Sequence, residues 1–154
     1  MLFRSEKMEV KLTWELTVRA SQCDAAGKLG IPAVFALFMD MATEHADALG
    51  IGLRELGKRG LFWLAVRTRV RLYRRPAMLE KVQAATWPEK PGRIRCNRDY
   101  TVAAGDELLA QGRTEWAVIH PETGKLVSAG EIYPPELTGA LTDARAQLFR
   151  FPEQ

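Results

Sequence analysis

The run Val18-Arg19-Ala20-Ser21-Gln22-Cys23-Asp24-Ala25-Ala26-Gly27 ends in a lone acid, Asp24, two small residues and a glycine, and a mostly apolar stretch follows it. A carboxylate can attack directly as a nucleophile or can activate water. At the mouth of an apolar groove and beside a helix N-terminus, it suits cleavage of a bond in a molecule partly greasy and partly charged. A turn-forming or capping acid has the same local sequence, so both readings stand on the residues alone. Asp40 falls in mid-helix among Phe38, Met39, Met41 and Ala42. Burial there would raise its pKa from about 3.9 and suit a general base, with a salt bridge or loop contact as the alternative. Glu44 follows one turn later on the same face. His45, four residues from both Met41 and Leu49, reads as a satisfied structural histidine. His120 precedes Pro121 in an expected turn, and Ser21 has no nearby histidine to activate it.

These groups need a frame. The chain has 154 residues, enough for one domain with a substantial core and short for two. No apolar run is long enough to span a membrane. Met1 to Lys7 lacks the pattern of a signal peptide, and Cys23 and Cys96 lack metal-ligand spacing, so a cytoplasmic location with reduced thiols is the expectation. The net charge of +3 does not imply nucleic acid. Arginines nevertheless crowd one region: Arg67, Arg69, Arg71, Arg74, Arg75, Arg93, Arg95 and Arg98. They fit either a solvated sheet face that resists aggregation or an anion site.

Alternation of Leu12, Trp14, Leu16 and Val18 with polar neighbours predicts a strand over Lys11 to Ala20. Ile31 to Leu49 predicts a helix that is apolar nearly all round and therefore buried, with Pro32 in its first turn and Gly50 at its stop. A short connection over Leu53 to Arg59 follows. Further strands are predicted at Leu61 to Arg75, Glu80 to Trp87, Arg93 to Ala103, Glu107 to Ile119 and near Leu126 or Val127, with a tail over Leu137 to Phe149 that has helical character. One strand, one long apolar helix and an antiparallel series make an α+β domain whose curved sheet wraps the helix, the hotdog arrangement. The whole of 1–154 reads as one domain, its core at about 10–135 and its tail at 136–154.

The segment Gln22-Cys23-Asp24-Ala25-Ala26-Gly27, followed by Ala33 to Thr43, resembles the opening of the 4-hydroxybenzoyl-CoA thioesterase-like hotdog family, whose members carry an Asp-x-x-Gly loop before an aromatic-rich helix. Leu61 to Arg67, Tyr73 to Pro76, and Gly92 to Tyr100 look more like acyl-ACP thioesterases. The resemblance covers about residues 10 to 135. It implies hydrolysis of an acyl thioester on coenzyme A or acyl carrier protein, in a homodimer or homotetramer with sites at the subunit interface, and it implies no metal or cofactor. By position Asp24 falls on the family's loop carboxylate, the nucleophile or general base, and Asp40 is the second catalytic candidate. Two positions depart from the pattern: Lys28 stands where histidine is frequent, and Leu29-Gly30-Ile31 replaces an Asn-rich step.

On that resemblance, backbone N–H groups from Gly27 through Lys28 to Gly30 are candidates to hold the developing oxyanion. Arg93 and Arg95, with the Arg67, Arg69 and Arg71 face, are candidates for phosphates or an acidic carrier surface. Phe35, Phe38, Phe62, Trp63 and Leu64 are candidates for an acyl pocket as well as for ordinary core. Two other functions compete: a dehydratase or hydratase, in which His45 would face the substrate, and a non-catalytic acyl-thioester-binding protein.

Overall fold

The computed structural model describes residues 10–141. Its strands are β1 (Leu12–Thr17), β2 (Phe62–Leu72), β3 (Lys81–Pro88), β4 (Cys96–Ala104), β5 (Glu107–Ile119) and β6 (Leu126–Val127), and its helices are α1 (Ile31–Ala48), α2 (Leu53–Lys58) and α3 (Pro135–Ala140). All strands pair antiparallel, in the order β1-β3-β4-β5-β2, with β6 also on β5. One long helix packs on one side of this sheet, which is the α+β hotdog arrangement read from the sequence.

Alternation decides which side chains meet the helix. In β4 the inward row is Cys96, Arg98, Tyr100 and Val102, all buried. In β5 it includes Gly112, directly opposite Tyr100. A Cβ at Gly112 would lie 2.5 Å from the ring of Phe38, so glycine is required for the helix to sit this low. Phe38 then stacks on Tyr100 with ring centroids 4.5 Å apart. Around this contact Val34, Met41 and Ala42 of α1 pack against Val82, Ala84, Val102 and Leu109. A second cluster gathers Leu49, Ile51, Leu56, Cys96, Val118, Tyr133 and Leu137 beyond the C-terminal end of α1.

The elements start and stop for local reasons. β2 ends at Leu72 because the N–H groups of Tyr73 and Arg74 both turn to the carbonyl of Leu109. β4 begins at Cys96, later than predicted, because Gly92 N–H closes a turn on Arg95 O. The predicted burial of α1 on all sides is corrected here. The sheet covers one face only, and Ile31, Phe35 and Met39, spaced four apart, form an exposed apolar stripe along the flank of the helix. Asp40 and Glu44 are exposed as well, so Asp40 is not the buried acid that its apolar neighbours suggested. Edge strand β2 adds the exposed side chains of Phe62, Leu64 and Val66. Helix α3 begins at Pro135, just ahead of the predicted tail, and runs into its first residues; from residue 142 on the tail lies outside the described residues.

Candidate functional site

The Asp24 loop is built mainly by backbone hydrogen bonds. Asp24 N–H donates to Lys28 O and Gly27 N–H to Asp24 O, a reversal that Gly27 makes possible at φ +72°. The carboxylate faces back into its own turn: Oδ1 accepts from Ala26 N–H at 2.9 Å and from Lys28 N–H at 3.2 Å. Its Oδ2 is paired with Arg75 Nη1. The Arg75 guanidinium, followed by the Lys28 amide, holds the Asp24 carboxyl below its usual range. The loop is clamped to the segment after β2 through Leu29 N–H to Pro76 O and Met78 N–H to Gly27 O. In that segment Leu79 is an exposed non-glycine residue at φ 71°.

The amides expected to face an oxyanion are corrected by this geometry. Gly27 and Lys28 donate to Asp24, Leu29 donates to Pro76, and Gly30 donates to Gln22 O. All four are spent, three within the loop and its approach and one on the segment after β2. Helix geometry leaves the first-turn N–H groups of Ile31 and Ala33 without intrahelical partners, and Pro32 has none to offer.

A cavity of about 420 Å³ opens where the C-terminal half of α1 faces β2, β4 and β5. Its wall includes Met39, Ala42, Thr43 and Ala46 from the helix, Phe62 to Ala65 from β2, and Cys96, Arg98, Trp116 and Tyr133. Trp63 meets Trp116 and Tyr133 edge to face, and its Nε1–H donates to Ile51 O at 2.7 Å. These contacts fix a rigid aromatic corner. Burial pushes the Cys96 thiol up to about 11.

One charged group enters this apolar wall. Arg98 is only 5% exposed, and its Nη1 donates to His45 Nδ1 at 2.8 Å and to Thr86 Oγ1 at 3.2 Å. A guanidinium only donates, so His45 Nδ1 must accept and is unprotonated. His45, 2% exposed, thus supports Arg98 and is not among the residues lining the cavity.

The structure brings Asp24, Gly27 and Lys28 together at the head of α1 and leaves the other sequence candidates elsewhere. Asp40 lies on the outer side of α1. Arg95 and Arg67 both reach Glu115, and Arg93 offers its carbonyl to Ala129 N–H. Arg74 bridges Glu80 and Glu107, and Arg113 pairs with Glu89 at 2.8 Å. Many of the clustered arginines therefore hold the protein's own acids, which favours the structural reading of that cluster. Phe62, Trp63 and Leu64 line the cavity, whereas Phe38 is core and Phe35 is exposed. The sequence reading named Arg98 and Arg75 only as members of the arginine cluster and gave neither a role of its own in the site. Arg98 was legible as a charged residue at an inward position between Cys96 and Tyr100. No local pattern marks Arg75 as the partner of Asp24, since the pair spans 51 positions.

The fold has relatives among known proteins. A family model described as acyl-ACP thioesterase N-terminal domain matches residues 9–133. The oleoyl-acyl carrier protein thioesterase of Coriandrum sativum is 26% identical over 98 residues, covering 58% of this chain and 27% of that protein. The chain therefore spans under a third of that curated relative. Among solved structures, an acyl-ACP thioesterase from Bacteroides thetaiotaomicron superposes with a TM-score of 0.82 at 22% identity, over 94% of this chain and 58% of that one. The DHNA-CoA thioesterase of Staphylococcus aureus gives a TM-score of 0.70 at 23% identity, over 80% and 84% respectively. The two structures share the hotdog fold, and the family match over most of its length shows that the chain belongs to the acyl-ACP thioesterase N-terminal domain family.

Proposed function

We infer that this chain hydrolyses an acyl thioester carried on acyl carrier protein or coenzyme A, seating the acyl group in the cavity between α1 and the sheet. The observation that carries this reading is the cavity itself: about 420 Å³, walled by apolar and aromatic side chains, and bordered by the exposed edge strand β2. Apolar surface of that kind gains about 25 cal/mol per Å² when a hydrocarbon replaces water. In the reaction water adds to the carbonyl carbon, the C–S bond breaks, and a carboxylic acid and a free thiol leave.

Asp24 is the proposed nucleophile or general base. Its exposure and its place in the loop just before α1 support the role. The pairing with Arg75 keeps it ionised, as a nucleophile requires. The first-turn amides of Ile31 and Ala33 are the proposed oxyanion donors, aided by the helix dipole. Asp40 is exposed on the same helix and belongs to the proposal only as a group facing a second protomer. A second copy of the chain is the proposed cover for the stripe of Ile31, Phe35 and Met39 and for Phe62, Leu64 and Val66 on β2. Apolar exposure of this kind supports an interface there and, with it, a site at a subunit boundary.

Free-thiol release over matched acyl-CoA and acyl-carrier-protein panels tests the reading. Wild type is expected to release thiol, and Asp24→Asn to lose about 100-fold or more of the rate. Tight acyl binding with no thiol released would instead favour the non-catalytic binding protein. An undiminished Asp24→Asn rate would remove Asp24 from the chemistry.

A further inference from the structure

The cavity holds a feature that a plain hydrocarbon cannot use. Arg98 is buried in its wall beside Cys96, Trp116 and Tyr133, and burial works against its charge. Its hydrogen-bonded partners, His45 Nδ1 and Thr86 Oγ1, are both uncharged acceptors. Asp99, next in β4, attracts it electrostatically, but strand alternation sends that side chain to the opposite face of the sheet. Both hydrogen bonds leave from Nη1, and neither uses Nε or Nη2. Those two nitrogens form the side of the guanidinium that meets a carboxylate with two parallel hydrogen bonds.

We propose that Arg98 makes this site selective for acyl groups bearing a carboxylate at the end remote from the thioester. This rests on the reading of the cavity as the acyl seat. The methylene chain would lie against Met39, Phe62, Trp63 and Trp116, and the distal carboxylate would pair with Nε and Nη2 of Arg98. His45 is the positioning residue: its neutral Nδ1 holds Nη1 and leaves Nε and Nη2 for the carboxylate. A buried cation gains a counter-ion in this way. A methyl-terminated chain leaves the cation desolvated without one, so discrimination comes from both the gain and the loss.

The test compares thiol release from ω-carboxyacyl and methyl-terminated acyl thioesters of equal length, on whichever carrier the chain hydrolyses. Wild type is expected to favour the ω-carboxyl substrate by at least about tenfold in kcat/KM, chiefly through KM. Arg98→Met, similar in length and without charge, is expected to abolish or reverse that ratio while still hydrolysing the methyl-terminated substrate. Arg98→Lys keeps a charge without the fork and is expected to fall between them. A wild-type preference for the methyl-terminated chain overturns the proposal without any variant, and so does a ratio unchanged in Arg98→Met. Release of the methyl-terminated acyl group with no carboxyl preference rejects the role of Arg98 alone. Release from neither substrate rejects the thioesterase reading and this inference with it.

Discussion

Asp24 and Arg98 are both ionised, and their surroundings are opposite. Asp24 sits in an exposed loop where two backbone amides and Arg75 already engage its carboxylate. Arg98 is buried in the wall of an apolar cavity, held through one nitrogen by two neutral acceptors. The exposed group is electrostatically comfortable, so it keeps its charge and must exchange a partner to react. The buried group is uncomfortable, so it gains from any anion small enough to enter. On the proposed reading, reactivity and recognition fall to different regions: a loop stabilising an anion and a pocket demanding one.

The cavity side of this contrast is broken most strongly by volume. Ala46→Trp fills the space facing Trp63 and is expected to lower thiol release on the order of 100-fold, with the thermal midpoint close to wild type. An unimpaired rate would show that the acyl group binds elsewhere. Stability comes next. His45→Ala removes an acceptor from a buried guanidinium and opens a void, for a cost of about 2–4 kcal/mol in denaturant unfolding. Arg98→Met is expected to cost less, because an apolar side chain of similar length suits that wall. The opposite ranking would mean that Arg98 is a structural cation satisfied within the protein.

The loop side is sharpened by pH. The folded-state pKa of Asp24 lies below its ordinary value of 3.8, so its pairing stabilises the protein fully above that value. The contribution is lost as pH falls through the depressed folded value. Asp24→Asn should therefore unfold more readily than wild type at pH 7, with the gap closing in strong acid. A gap that widens on acidification contradicts the pairing with Arg75. The smallest effect concerns one thiol. With its pKa pushed up to about 11 by burial, Cys96 should resist alkylation at pH 8 until the protein unfolds, whereas the half-buried Cys23 is modified first. Prompt modification of Cys96 would mean that the cavity wall opens in solution.

Much of the frame is written in local patterns. β5 and β6 fall where the spacing of turns and apolar residues put them, and α1 stops within a residue of its predicted end. Period-2 alternation and glycine turns act over a few residues, so a single sequence displays them. What alternation around α1 could not show is which apolar face the sheet covers. Phe38 and Phe35 look alike in sequence, yet Gly112 admits Phe38 and leaves Phe35 outside. Asp40 was misplaced for the same reason. In the site, Asp24 was legible as an acid before a glycine, but its partner Arg75 depends on how the segment after β2 returns to the loop. Arg98 was visible as an inward position in β4, and only the fold shows that its acceptors are neutral.

The central claim is that the acyl chain enters the cavity between α1 and β2, and a photoreactive acyl thioester with a diazirine at its distal end tests it most directly. Cross-linking during turnover, followed by peptide mapping, should label residues in Phe62–Ala65 and around Trp116, and Ala46→Trp should lose that label together with thiol release. Labelling confined to the outer face of the sheet around Arg69 and Arg113, with thiol release intact in Ala46→Trp, would contradict the account.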